Sequence, residues 1–340
     1  MKIFYSADHR HHNPIFEGYT SEKLLPAFEK AERAEIVLAA LQENSWSEIL
    51  PPADFGLEPV LSVHSIAYLD YLLSAYDHWQ PFSPVPEIAF IPGTFGIDHP
   101  TAISMSGTER YGFFMMDTTV AINAATYSAA LKAANCALSG AQAIARGQRA
   151  VFALCRPPGH HAGREVCGGY CFLNNAAIAA QWLSRLGKVA ILDVDYHAGN
   201  GTQEIFYERA DVLTISLHAD PAFEYPRYAG FANETGSEGG AGFHHNFPLP
   251  AGTDSEGYLN SLKEALLLID QFDPEYLVIS AGMDIYQDEP LGTFKITAEG
   301  IYKIGEQISN IGLPTLIVME GGYHLTSLGS NFGAFLEPFS

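Results

Sequence analysis

Apolar residues recur every third or fourth position across 26–42 (Ala31, Ala34, Val37, Leu38, Leu41). That spacing predicts a helix with one buried face. Residues 128–145 read as a longer, Ala-rich helix stopped at Gly147. From residue 150 the period alternates. Short apolar runs at 150–155, 188–194, 212–218, 276–280 and 315–319 predict strands, and 3.6-residue patterns at 174–186, 258–272 and 297–311 predict helices among them. Strands and helices in this rhythm predict an α/β protein with a mainly parallel central sheet and helices against it. Between 79 and 117 the period fails in a stretch of Pro, Gly, Ser and aromatics. A loop of that length inside a compact domain is usually functional or disordered. With no Ser- or Gly-rich linker elsewhere, the expectation is one domain over 1–340, with a loop insertion at about 79–117.

Composition narrows the function classes. The 340 residues hold 39 Asp and Glu against 18 Lys and Arg, a formal charge of −21. Such a surface repels nucleic acid and anionic lipid and gathers cations, which favours a cationic substrate, although ordinary solubility explains acidity equally well. The sequence has no basic-then-apolar leader and no apolar run of membrane-spanning length, so a cytoplasmic protein without nucleic-acid or membrane partners is expected. Four cysteines are too few and too scattered for a disulfide framework.

Ligands of open α/β sheets bind beyond the carboxyl ends of the strands, and four predicted strands end there in reactive groups. Residues 150–155 lead to Arg156-Pro157-Pro158-Gly159-His160-His161, and 188–194 lead to Asp195 and His197. Residues 276–280 are followed by Asp284, and 315–319 by Glu320-Gly321-Gly322-Tyr323. In an extended chain Asp193, Asp195 and His197 would share a face. A buried carboxylate needs a cation or a donor. One reading of this segment is a metal site; the other is an Asp pair capping the next helix, with His197 on a loop carbonyl. Taken with Asp284, the metal reading gives Asp195, His197 and Asp284 as three ligands suited to zinc with a position left open. Asp193 remains to orient an imidazole or hold another cation. One imidazole of the His160-His161 pair could take a proton from the attacking water and return it to a leaving amine. Tyr323, behind two glycines, could stabilise the oxyanion.

The motifs RPPGHHAG (156–163), GGYCFLNN (168–175), LDVDYHAGNGTQ (192–203), SLH (216–218), SAGMDIYQDEPLG (280–292) and MEGGY (319–323) occur in that order. Together they resemble the zinc-dependent histone deacetylase and acetylpolyamine amidohydrolase family. FEGYTSEKLLPAFEKAERAE (16–35) and the Pro-rich insertion are more similar to its bacterial acetylpolyamine amidohydrolase branch. The resemblance implies an arginase-like fold with helices on both faces of the sheet, and hydrolysis of an N-acetyl amide to acetate and amine. It implies one catalytic Zn²⁺ on Asp195, His197 and Asp284. His161 corresponds to the general base and later acid, His160 is paired with Asp193, and Tyr323 matches the transition-state tyrosine. Gly169, Tyr170 and Tyr225 correspond to substrate-binding walls of a narrow tunnel, and Asp193 with Ser216 to a structural K⁺ site. A small cationic acetylated amine is the implied substrate. Glu17 is the implied reader of its ammonium, with Asp117 and Glu109 as further candidates, and a homodimer through 79–117 would narrow the entrance. Two positions depart from common family patterns: Ala198 replaces a second histidine, and Asn200 stands where some members have Asp. The competing readings are an acetyl-lysine protein deacetylase and a non-catalytic metal-binding protein on the same fold.

Overall fold

A computed structural model describes residues 1–19, 24–82, 89–95 and 112–340. Its strands, in chain order, are β1 (Lys2–Phe4), β2 (Phe16–Tyr19), β3 (Leu24–Pro26), β4 (Glu48–Leu50), β5 (Ala150–Ala153), β6 (Val189–Asp193), β7 (Val212–Ala219), β8 (His244–Leu249), β9 (Tyr276–Ala281) and β10 (Thr315–Met319). Eight of them form one sheet in the order β4-β1-β5-β10-β9-β6-β7-β8, and every pairing is parallel. β2 and β3 form a separate antiparallel pair.

A parallel sheet covered on both faces needs strands that are apolar on both sides, which is why the sequence shows continuous runs and not alternation. Val151, Ala153, Val189, Ile191 and Val318 enter one core. Their neighbours Phe152, Ala190, Leu192, Ile317 and Met319 enter the other. The first core is covered by α3 (Ile66–Trp79), α4 (Thr126–Ala145) and α5 (Asn175–Leu183). The second is covered by α1 (Ala31–Gln42), α7 (Ser255–Phe272), α8 (Ala298–Ser309) and α9 (Leu325–Leu336). Two short helices, α2 (Glu58–Leu61) and α6 (Asn200–Phe206), complete the described set. Among the described residues no helix is long and apolar enough to cross a membrane.

The alternation read from residue 150 onward matches β5, β6, β7, β9 and β10 with the helices between them. The structure adds β1, β4 and β8, and the helices α3 and α9. Of the 79–117 stretch, 83–88 and 96–111, including Glu109, lie outside the described residues, as does most of the surface on which a dimer contact was expected. Its described flanks are anchored: Phe90 bridges Ile122 and Met115 bridges Cys167.

Candidate active site

Because the sheet is parallel, the carboxyl ends of β5, β10, β9 and β6 lie side by side in that order. The four reactive clusters therefore meet at one rim. β6 ends at Asp193, so the following segment is not extended strand. Convergence comes from two local turns in which a carboxylate accepts the N–H two residues on. Asp193 Oδ1 accepts from Asp195 N (3.0 Å), and Asp195 Oδ1 from His197 N (2.9 Å). Neither aspartate caps α6, whose N-cap is Gly199 with no side-chain bond. The helix-capping reading is thereby overturned.

Asp195, His197 and Asp284 place one donor atom each within 4.8 Å of one another. His197 Nδ1 stands 3.3 Å from Asp195 Oδ1 and 3.2 Å from Asp284 Oδ2. Asp284 Oδ1 accepts from Tyr196 N, whereas Asp284 Oδ2, fully buried, has no hydrogen-bonded partner. The carboxylates lie against bare glycine backbone: a Cβ on Gly282 would sit 2.0 Å from Asp195 Oδ2, and one on Gly321 2.2 Å from Asp284 Oδ2. An orphaned buried oxygen, a close cradle and a two-carboxylate, one-imidazole donor set all fit a divalent cation.

His160 and His161 stand with ring centres 3.9 Å apart. Asp193 Oδ2 accepts from His160 Nδ1 at 2.8 Å. Burial works against a proton on His160, yet Asp193 and Asp195 outweigh it and hold the imidazole well above its ordinary range. His161 goes the other way: burial, then His160 and His197, push it well below. Its Nδ1 lies 2.7 Å from Asn200 Oδ1. An amide oxygen only accepts, so the proton sits on Nδ1 and the Nε2 lone pair is free. Asn200 thus fixes the tautomer of His161 through a neutral carbonyl.

The chain carrying Tyr323 is clamped by residues that sequence reasoning missed. Glu289 accepts from Tyr323 N (2.8 Å) and His324 N (3.0 Å). Glu320 Oε2 accepts from Gly159 N (2.6 Å) and His160 N (3.2 Å), tying the imidazole loop to the tyrosine loop. Arg33, buried in α1, donates to the carbonyls of Gly322 and Glu320, both at 2.6 Å, and stacks 4.6 Å from the Tyr323 ring centre. The one available signal was a charge on the stripe it shares with Val37 and Leu41.

A cavity of about 190 Å³ opens onto these groups, lined among others by His161, His197, Tyr170, Tyr225 and Tyr323. Gly169 and Tyr170 both have left-handed backbone (φ 53° and 69°), and a Cβ on Gly169 would fall 2.2 Å from the His161 ring. Tyr225 packs edge-on against His161 with centroids 4.8 Å apart. Ser216 lies beside Asp193 in the sheet, its hydroxyl 2.7 Å from His218 Nδ1.

Glu17 and Asp117, expected at the mouth as readers of an ammonium, are hydrogen-bonded to residues that wall the cavity. Glu17 accepts from Tyr170 OH (3.0 Å) and Phe28 N (2.6 Å), and burial pushes its carboxyl up. Asp117 Oδ2 accepts from Tyr225 OH (2.6 Å) and Gly169 N (2.9 Å), while Oδ1 takes Thr119 N and Oγ1. Its lone pairs are committed to holding two walls in place. Asp117→Asn should therefore lose about 1.5–3 kcal/mol of stability, the worth of a hydrogen bond to a charged group. It should raise KM for charged and neutral substrates alike, as denaturant melts and steady-state kinetics will register.

A parallel sheet whose rim gathers a carboxylate-imidazole metal set, a free imidazole nitrogen and a buried phenol defines a metal-dependent hydrolase of amide bonds. Residues 27–338 match the histone deacetylase domain model. The chain is 43% identical to acetylpolyamine amidohydrolase 1 of Pseudomonas aeruginosa, covering 100% of this chain and 99% of the relative. It is 42% identical to the acetylpolyamine amidohydrolase of Mycoplana ramosa, covering 99% of each. The crystal structure of acetylpolyamine aminohydrolase from Burkholderia pseudomallei superposes with a TM-score of 0.95 at 36% identity, covering 100% of this chain and 98% of that one. The protein belongs to the histone deacetylase family and is a deacetylase of that class.

Proposed function

We propose that the protein is a zinc-dependent amidohydrolase that removes the acetyl group from short N-acetylated diamines or polyamines. The observation that carries this reading is the Asp195, His197 and Asp284 set opening onto a narrow cavity shared by a proton acceptor, His161, and a phenol, Tyr323. The substrate class rests on the full-length likeness to proteins named for acetylpolyamines and on the −21 charge, which draws cations. Three mixed nitrogen and oxygen ligands suit zinc with an open position. Asp195, His197 and Asp284 would hold the zinc, and the chemistry supplied there would be polarisation of the acetyl carbonyl and of a water molecule. His161 Nε2 takes the proton of the attacking water and returns it to the amine nitrogen as the C–N bond breaks. His160, cationic against Asp193, supplies positive charge beside the developing oxyanion. Tyr323 donates its O–H to that oxyanion.

A structural K⁺ at Asp193 and Ser216 rests on the family likeness alone. Both side chains already have protein partners, so backbone carbonyls would supply most ligands, and no step depends on it. The four cysteines are buried and free, which suits a reducing compartment such as the cytoplasm. A homodimer through 79–117 belongs to the same reading, and sedimentation tests it. Function is tested by turnover of acetylputrescine, acetylcadaverine, acetylspermidine and an acetyl-lysine peptide side by side. The highest kcat/KM is expected on an acetylated amine, with the preference shrinking in added salt. A preference for the peptide over all three would overturn the substrate assignment in favour of the protein-deacetylase reading.

A further inference from the structure

Besides Glu17 and Asp117, which accept from the hydroxyls of Tyr170 and Tyr225, a further carboxylate lines the cavity itself. Among the described residues that line it, Glu224 alone carries negative charge. Two bonds hold it in place: Oε1 accepts from Tyr225 N at 3.0 Å, and Oε2 from Tyr196 OH at 3.1 Å. The Tyr196 hydroxyl is itself fixed by Thr293 Oγ1 at 2.9 Å. Each carboxylate oxygen therefore keeps capacity for another donor. Among the described residues no cation pairs with it, and the nearby Arg227 directs Nη2 to the Phe223 carbonyl (2.9 Å). Glu224 is also close to the chemistry. Its neighbour Tyr225 packs on His161, and Tyr196, which it contacts, packs on His197 with centroids 5.0 Å apart. An anchored carboxylate in a cavity also lined by Tyr170, Tyr225 and Tyr323 is an arrangement that recognises an alkylammonium, by charge-assisted hydrogen bonds and by the aromatic rings.

We propose that Glu224 is the specificity-determining residue that binds the free ammonium of the substrate, a few methylenes from the scissile amide. The proposal rests on the deacetylase reading above and adds which residue selects the amine. Its test compares kcat/KM of wild type and Glu224→Gln on acetylputrescine and on an N-alkylacetamide of equal length without the ammonium. Gln keeps the size and the acceptor for Tyr225 N, and the neutral substrate reports on fold and chemistry in the same preparation. Glu224→Gln should lower kcat/KM on acetylputrescine on the order of tenfold to a hundredfold, through KM, and change the neutral substrate less than about twofold. Glu224→Lys should remove the preference for the charged substrate altogether. Equal losses on both substrates would overturn the proposal and reduce Glu224 to a wall support, while the deacetylase reading stood. A wild type that turns over neither substrate would overturn that reading and the proposal with it.

Discussion

Replacing Asp195, His197 or Asp284 with Ala is expected to strip metal and activity together, with metal content falling well below one per chain and turnover falling to background. The reason lies in the donor count. Among the described residues three protein donors converge there, and even partners that merely orient a ligand are worth about 10- to 100-fold in affinity, so loss of a direct ligand costs more. The metal-free site also predicts a pH dependence. Burial pulls His197 down, but Asp195 and Asp284 outweigh it and hold it up at about 10. A cation accepts only the neutral imidazole, so uptake near neutral pH displaces that proton, and metal affinity should rise with pH up to about 10. Burial and Asp195 push Asp284 up to about 6. The folded state thus holds this proton more tightly than the unfolded chain, where an Asp titrates near ~3.9. The contribution of Asp284 to the stability of the metal-free protein, measured as the difference between wild type and Asp284→Asn, should accordingly fall as pH rises from about 4 to about 6. Metal titrations and melts across pH check both trends. Stoichiometric metal in any of the three Ala variants would sink the ligand assignment.

The ligand set was legible because its parts are local and costly. Two carboxylates and an imidazole at the end of the buried run Val189–Asp193 demand an explanation within a few residues, and parallel topology brings Asp284 to the same rim. The structure does group Asp195, His197 and Asp284, but turns and not strand alternation aim Asp195 and His197. What the sequence concealed acts across the chain. Arg33 and Gly322 are separated by 289 residues, and nothing local announces that a helix arginine will hold the tyrosine loop. Glu17, Asp117 and Glu224 look alike as single acids in loops. Which lines the catalytic cavity and which bonds to a tyrosine hydroxyl of its wall is set by tertiary packing, which periodicity does not encode. β1 and β4, three residues each, are too short to show a period, and β8 (HHNFPL) mixes polar and apolar residues because it is an edge strand.

Tyr323→Phe is expected to retain stoichiometric metal and lose about 10²- to 10³-fold in kcat, the cost of removing one oxyanion donor. The hydroxyl can serve only if it keeps its proton, and it does: burial pushes the phenol well above its ordinary range, and Arg33 over the ring only partly opposes this. Position is equally constrained. Glu289 grips the Tyr323 N–H, and Gly322, at φ 118°, holds a backbone conformation that a side chain would strain, with Leu328 2.7 Å from where its Cβ would lie. The ring stands 5.6 Å from Tyr170 across the cavity. Phe keeps that ring, its packing and its stacking with Arg33, so fold, metal content and KM should change little while kcat collapses. That split separates a donor acting on the developing oxyanion from a residue that merely shapes the wall, whose loss would appear chiefly in KM. Near-normal kcat in the Phe variant, with metal content unchanged, would reduce Tyr323 to packing and leave His160 and the metal to carry the oxyanion alone.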